Sequence, residues 1–160
     1  MPVFISHKSS DKDQALIIAR YLEQRRVRVY IDIFDPALKN TNDITSVIVD
    51  RVRTCTHIIA VTSMETTKSW WVPFEIGVAT DQDRRITTYA LQPSDLPDYL
   101  KKWPIMTHQR DLEEFVNLYK RDKTVALEEA TTLDGYNYST RNIVTAESFH
   151  SSLKRQLGQI

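Results

Sequence analysis

Apolar and polar positions change their period along this chain, and each change marks an element. Pro2-Val3-Phe4-Ile5-Ser6 is a short apolar run that turns polar at Ser6, which predicts a buried strand ending there. The polar loop from His7 to Asp13 follows. Ala15, Ile18, Ala19 and Leu22 then recur at three- and four-residue intervals, predicting an amphipathic helix over about Asp11 to Arg25. Val27 to Ile33 alternates and is rich in β-branched residues, so it reads as a second strand. An acidic, proline-containing loop runs from Phe34 to Asn42. A second helix is expected from Asp43 to Thr54, with Ile44, Val47, Ile48 and Val52 as its stripe and Asn42 or Asp43 as its cap. His57 to Thr62 is almost continuously apolar, as expected of the centre of a parallel sheet covered on both faces.

Ser63 to Lys68 reads as a polar loop, followed by a tryptophan-bearing helix over about Ser69 to Thr80, near whose start Pro73 is tolerated. Arg85 to Leu91 is a fourth strand. Gln92 to Lys102 reads as loop with a helical turn over Leu96 to Leu100, and Pro104 to Thr107 as a short edge strand. Leu112, Phe115, Val116 and Tyr119 mark a helix from Asp111 to Arg121. Thr124 to Thr131 looks helical, Asp134 to Asn137 looks like a turn, and a last helix spans about Thr145 to Leu157.

Strands alternating with helices at βαβ spacing predict an α/β fold, a central parallel five-stranded sheet flanked by helices. Ligands of such sheets bind beyond the C-terminal strand ends. Here those ends carry Ser6 to Ser10, the stretch from Asp32 to Asn42, and the loop from Ser63 into the tryptophan helix. Trp71 and Glu75, four residues apart, share a helical face and place an aromatic wall one turn from an acid at the crevice rim. By itself that pair is ordinary packing beside a solvated charge; its place in the chain raises its interest. By the same spacing, Trp70 is the packing residue of the two.

Composition narrows the picture. The chain has 160 residues, enough for one domain with a buried core. Its 21 basic and 21 acidic residues cancel, which argues against a broad electrostatic footprint for nucleic acid or anionic membrane. The local run Arg25-Arg26-Val27-Arg28 reads as a solvated helix end. Cys55 is the single cysteine, so no internal disulfide forms; it reads as a small buried hydrophobe in a protein of the reducing cytosol. No signal peptide or membrane span is expected. With three glycines and neither GxGxxG nor GxxxxGK[ST], the nucleotide motifs of Rossmann and P-loop folds are absent. No metal site is expected.

Four stretches, in order, resemble the Toll/interleukin-1 receptor (TIR) domain family, especially its bacterial members. Val3 to Asp11 resembles the opening strand and loop. Val29-Tyr30-Ile31-Asp32 resembles the second strand with the acid before the long BB loop. Asn42-Asp43-Ile44 resembles the next helix start, with Asn42 where the family has glycine. Ile58 to Ser63 followed by Ser69-Trp70-Trp71-Val72-Pro73-Phe74-Glu75 resembles the third strand and the WxxxE segment. The resemblance covers about residues 2–120 and implies a single flavodoxin-like TIR domain, with 121–160 as a helical extension.

It also implies chemistry. Many TIR domains cleave the nicotinamide–ribose bond of NAD, and the WxxxE glutamate, here Glu75, is their catalytic acid residue. Nicotinamide leaves without a general acid, and a carboxylate against the ribose stabilises the oxocarbenium-like transition state. By position, Phe4, Ser6, His7, Ser9, Asp32 and Trp71 would bind the nucleotide. His7, a lone loop histidine, is more ordinarily a hydrogen-bonding residue than a base. NAD+ would be a substrate, with no other cofactor. The loop from Phe34 to Asn42 would serve TIR–TIR self-association. A free-standing bacterial-type domain would signal through a diffusible cyclic ADP-ribose-type product to a separate effector, as in Thoeris-type antiphage defence. The competing reading is a non-catalytic TIR–TIR scaffold. A receiver domain fits poorly, since Ser6-His7 and Thr62-Ser63 stand where receivers need acids.

Overall fold

In the strands, alternate side chains part to opposite faces of a sheet that is covered on both. A computed structural model describes residues 2–31, 43–131 and 145–160. The elements are β1 (Val3–Ser6), α1 (Lys12–Gln24), β2 (Val29–Ile31), α2 (Ile44–Thr54), β3 (His57–Thr62), α3 (Trp71–Asp81), β4 (Arg85–Ala90), β5 (Ile105–Met106), α4 (Gln109–Thr131) and α5 (Ala146–Gln156). All strand pairs are parallel, in the order β2-β1-β3-β4-β5. Val3, Ile5, Ile59 and Val61 pack with α1, α4 and α5. Phe4, Ile58, Ala60 and Ile86 pack on the other face with α2 and α3. This two-sided burial explains the unbroken apolar run of β3, the central strand.

The register, with Ser6 opposite Ala60, fixes Ser6 on the α3 face, two residues beyond Phe4. The order also has a switch point. The chain leaves β1 toward α1 on one face and leaves β3 toward α3 on the other, so a crevice opens between the C-terminal ends of β1 and β3.

Several sequence expectations need adjusting. Asp43 caps α2, its carboxylate accepting from the Ser46 N–H at 3.0 Å, but Ile44 stays exposed and the covered stripe begins deeper in the helix, with Ile48 and Val52 buried. The helix expected over Asp111 to Arg121 and the helical stretch after it are one helix, α4. The loop from Ser63 to Lys68 is a 3-10 turn over Met64–Lys68. The turn expected at Asp134 to Asn137 lies outside the described residues. Arg25 lies over the Tyr21 ring at 3.5 Å and donates to the Tyr21 carbonyl, so the basic run does end a helix. Cys55 is buried, and desolvation lifts its thiol to about 11. At the β5 edge, the Gln159 amide pairs with Ile105 at both its N–H (3.1 Å) and its carbonyl (2.5 Å), which occupies edge groups that would otherwise be open to another strand.

The N-terminal end of the sheet holds a buried polar cluster. His57 is enclosed by the rings of Phe115, Tyr119 and Phe149. Its Nδ1 meets Thr56 Oγ1 at 2.8 Å, and its Nε2 lies 3.5 Å from an Asp122 oxygen that also accepts from Arg85 Nε at 2.6 Å. Phe149 and Leu153 of α5 complete the same core. Desolvation outweighs the attraction of Asp122 and holds His57 down to about 4.

A folded pKa below the unfolded value near 6.5 sets the sign. Stability is full above the unfolded pKa and falls as pH drops toward the folded one. Denaturant unfolding should therefore show a loss of about 3 kcal/mol from His57 between about pH 7 and about pH 4. His150, also lowered to about 4 by burial, adds in the same direction. Ring-proton NMR should find His57 neutral at about pH 6; a normal titration there would contradict the buried neutral ring.

Candidate active site at the strand ends

α3 owes its placement to a mixed stripe. Val72, Ile76 and Ala79 are buried against the sheet, and Glu75 falls on that same stripe between them, only 3% exposed. Ser6, at the end of β1 on the face toward α3, donates its hydroxyl to the Glu75 carboxylate. Two of the residues singled out from sequence are thus joined directly, across 69 positions of chain. The sequence reading set Glu75 at the crevice rim; the structure sinks it into the wall.

The loops around this pair are stitched together. Ser63, just past β3, caps the 3-10 turn that leads to α3. Its Oγ accepts from the Glu65 N–H, while its own N–H donates to Thr66 Oγ1 at 2.9 Å. The same Oγ donates to buried Asp11 at 2.9 Å, tying the loop after β1 to the loop after β3. Lys8 and Glu65 add a partly exposed ion pair at 3.2 Å. Ser63, Thr66 and Asp11 were not among the residues expected to matter. The Ser-x-x-Thr spacing of a capping box was a readable signal for the first two; nothing local marked Asp11.

The remaining residues separate. His7 is buried beside Ser6. Ser9 is exposed and opens the 3-10 turn Ser9–Asp11. Phe4 is fully buried and stacks on Tyr30 at 5.2 Å, so it forms the wall behind the site. Trp71 is 44% exposed and meets Phe74 edge-on at 5.9 Å. Trp70 reverses its expectation: at 90% exposure it packs against almost nothing, because it precedes the helix at the N-cap while the buried stripe starts at Val72. Asp32 and the loop from Phe34 to Asn42 lie outside the described residues. Among the described residues no cluster of three or more His, Cys, Asp or Glu is placed to hold a metal ion, and no helix is long and apolar enough to cross a membrane.

Chemically, this is a buried carboxylate with a hydroxyl donor in the wall of a crevice, with a half-exposed aromatic ring one turn back along its helix. It can stabilise developing positive charge on a bound molecule. Ser6→Ala removes a donor from a buried acceptor and should destabilise the fold by about 1–3 kcal/mol. Ser63→Ala should cost about 1 kcal/mol through the lost cap. Urea midpoints for the two variants check both values, and unchanged midpoints would contradict the stitched loops.

A sequence profile of the TIR domain family matches residues 3–133. No curated protein sequence matches the chain. Among solved structures the chain is similar to BcmB, a CMP N-glycosidase of Clostridium botulinum, at 18% identity and a TM-score of 0.55, covering 74% of this chain and 99% of that one. It is also similar to the TIR domains of the activated Roq1 resistosome, which recognises the pathogen effector XopQ, at 16% identity, a TM-score of 0.47 and 98% of both chains. The second likeness is too loose to argue from; the first bears on the fold, a five-stranded parallel sheet flanked by helices. With a family match over most of its length and the site at the expected strand ends, the chain belongs to the TIR domain family.

Proposed function

We propose that this TIR domain cleaves the bond between a nitrogen base and ribose, that its substrate is NAD+, and that Glu75 is its catalytic carboxylate. The observation that carries the reading is the buried Glu75 carboxylate, held by Ser6 at the C-terminal ends of β1 and β3. As the bond from ribose C1′ to the nicotinamide nitrogen breaks, its electron pair leaves with the ring, which departs neutral. The ribose takes on oxocarbenium character. A preorganised carboxylate stabilises that charge most where water is kept out. Ser6 orients the carboxylate, and Trp71 offers a face that shields or stacks. Attack by water on C1′ gives ADP-ribose, and attack by an adenine nitrogen gives a cyclic product. The name of the Clostridium botulinum neighbour, a CMP N-glycosidase, adds support for the bond type.

Phe4, His7, Ser9 and Asp32 complete the nucleotide site in this proposal, with Phe4 acting as backing. NAD+ serves as substrate and no other cofactor takes part. TIR–TIR contact through the loop from Phe34 to Asn42 brings two domains together. A cyclic ADP-ribose-type product, acting on a separate effector in a bacterial cytoplasm during phage infection, is the setting we favour. A second reading, a non-catalytic TIR–TIR module, draws on the exposure of Trp70 beside the site, which suits a contact surface.

Incubation with NAD+, and separately with CMP, should release nicotinamide from the first. Glu75→Gln should lower the rate by about 100-fold or more while the protein stays folded. Turnover that survives Glu75→Gln would remove Glu75 from the reaction. Release of cytosine with no action on NAD+ would keep the bond type and overturn the substrate. No turnover of either nucleotide, in dilute or concentrated protein, would favour the scaffold.

A further inference from the structure

A second cavity, of about 430 Å³, lies at the opposite end of the sheet from Glu75. It is built by the last turn of α3, the turn into β4, the segment before β5 and one side of α5 from Ala146 to Lys154. We propose that it binds a small organic phosphate monoester, as a site separate from the reacting centre. The proposal goes beyond the glycosidase reading and does not depend on it.

Charge comes first. Arg84, Lys102 and Lys154 line the cavity against the acids Asp83 and Glu147, which leaves one net positive charge. Two of the three cations are held in place. Arg84 donates from Nη2 to the Arg53 carbonyl at 2.8 Å, and Lys154 donates to the Lys102 carbonyl at 2.7 Å. Each bond uses one of several N–H groups, so both retain donors for a ligand oxygen. Arg84 Nε is shut away from solvent and meets no acceptor among the described residues. With Nε closed to a ligand, the donors the guanidinium keeps for an oxyanion are those on its Nη atoms.

Histidine adds a ring N–H. His150 Nε2 accepts the backbone N–H of Ile86 at 2.8 Å, so in the neutral ring the proton resides on Nδ1. Burial keeps the ring neutral by lowering it to about 4, so it acts as a hydrogen-bond donor and not as a further cation. Ser151, one residue on, brings a hydroxyl to the same lining. The rest of the wall includes Ile86 and the indole of Trp103, itself nearly buried. The volume lies in the range of small-molecule sites and exceeds what a bare anion needs. Basic groups with an apolar wall therefore fit an anionic head on a small organic body.

The test is a ¹H–¹⁵N NMR titration of the whole chain with ribose 5-phosphate, inorganic phosphate and ribose. Ribose 5-phosphate should shift the Ile86 amide and the Trp103 indole N–H saturably at up to millimolar concentration. Its affinity should exceed that of inorganic phosphate by about tenfold, and ribose should be silent. Arg84→Gln should weaken binding about tenfold. Lys102→Gln, at a side chain without that backbone anchor, should weaken it several-fold with the fold intact. Four results would each overturn the proposal: no saturable shift, shifts confined to the Ser6–Glu75 end, equal affinity for inorganic phosphate (an adventitious anion only), or affinity unchanged in both variants. Because the readout is binding at this end, an inactive enzyme leaves it standing and an active one does not rescue it.

Discussion

The C-terminal end of the sheet depends on one hydrogen bond, from the Ser6 hydroxyl to the Glu75 carboxylate. A carboxylate on the buried stripe of a helix, between Val72, Ile76 and Ala79, is costly unless it is met by donors. A leucine there would pack as well and demand nothing. Glu75 therefore stands where stability alone would not put it, and that is the pattern expected of a site kept for chemistry. The bond also joins β1 to α3 across the switch point. The strand that opens the chain and the helix after the central strand then hold one geometry.

That geometry is a consequence of sheet register. Because Ser6 lies opposite Ala60 in parallel pairing, its side chain must face α3. A slip of one residue would turn Ser6 toward α1 and bring Ile5 under Glu75. The apolar alternation of β1 and β3 prevents the slip, since it would also exchange the two core faces. Core packing and site geometry are thus the same constraint. The Ser63 cap and its bond to Asp11 then hold the approach to α3 in place, so the helix starts where Glu75 can reach Ser6.

The architecture was legible because it rests on periodicity. The five strands, their parallel direction and most helix bounds follow from where apolar residues recur; the order of the strands in the sheet does not. Glu75 was legible as a candidate from its spacing and its family resemblance. Its burial was readable too, since positions 72, 75, 76 and 79 make one stripe, yet the eye goes first to Trp71 at four residues. Trp70 misled because hydrophobicity says what is favourable to bury and not what geometry permits. Trp70 precedes the helix and has no wall to meet. The pairings Asp11–Ser63 and His57–Asp122 were not legible, being contacts between residues far apart in the chain whose local sequence is ordinary.

α3 links two ends of different character. Its second turn carries Glu75 to the strand C-termini, and its last turn, with Thr80, borders the basic cavity at the strand N-termini. Five residues of helix span about 8 Å, and between them Ile76 and Ala79 are locked into the core. The helix thus presents its acid and its border with the basic cavity at opposite ends of one buried stripe, and Ile76 and Ala79 seat both ends against the same sheet.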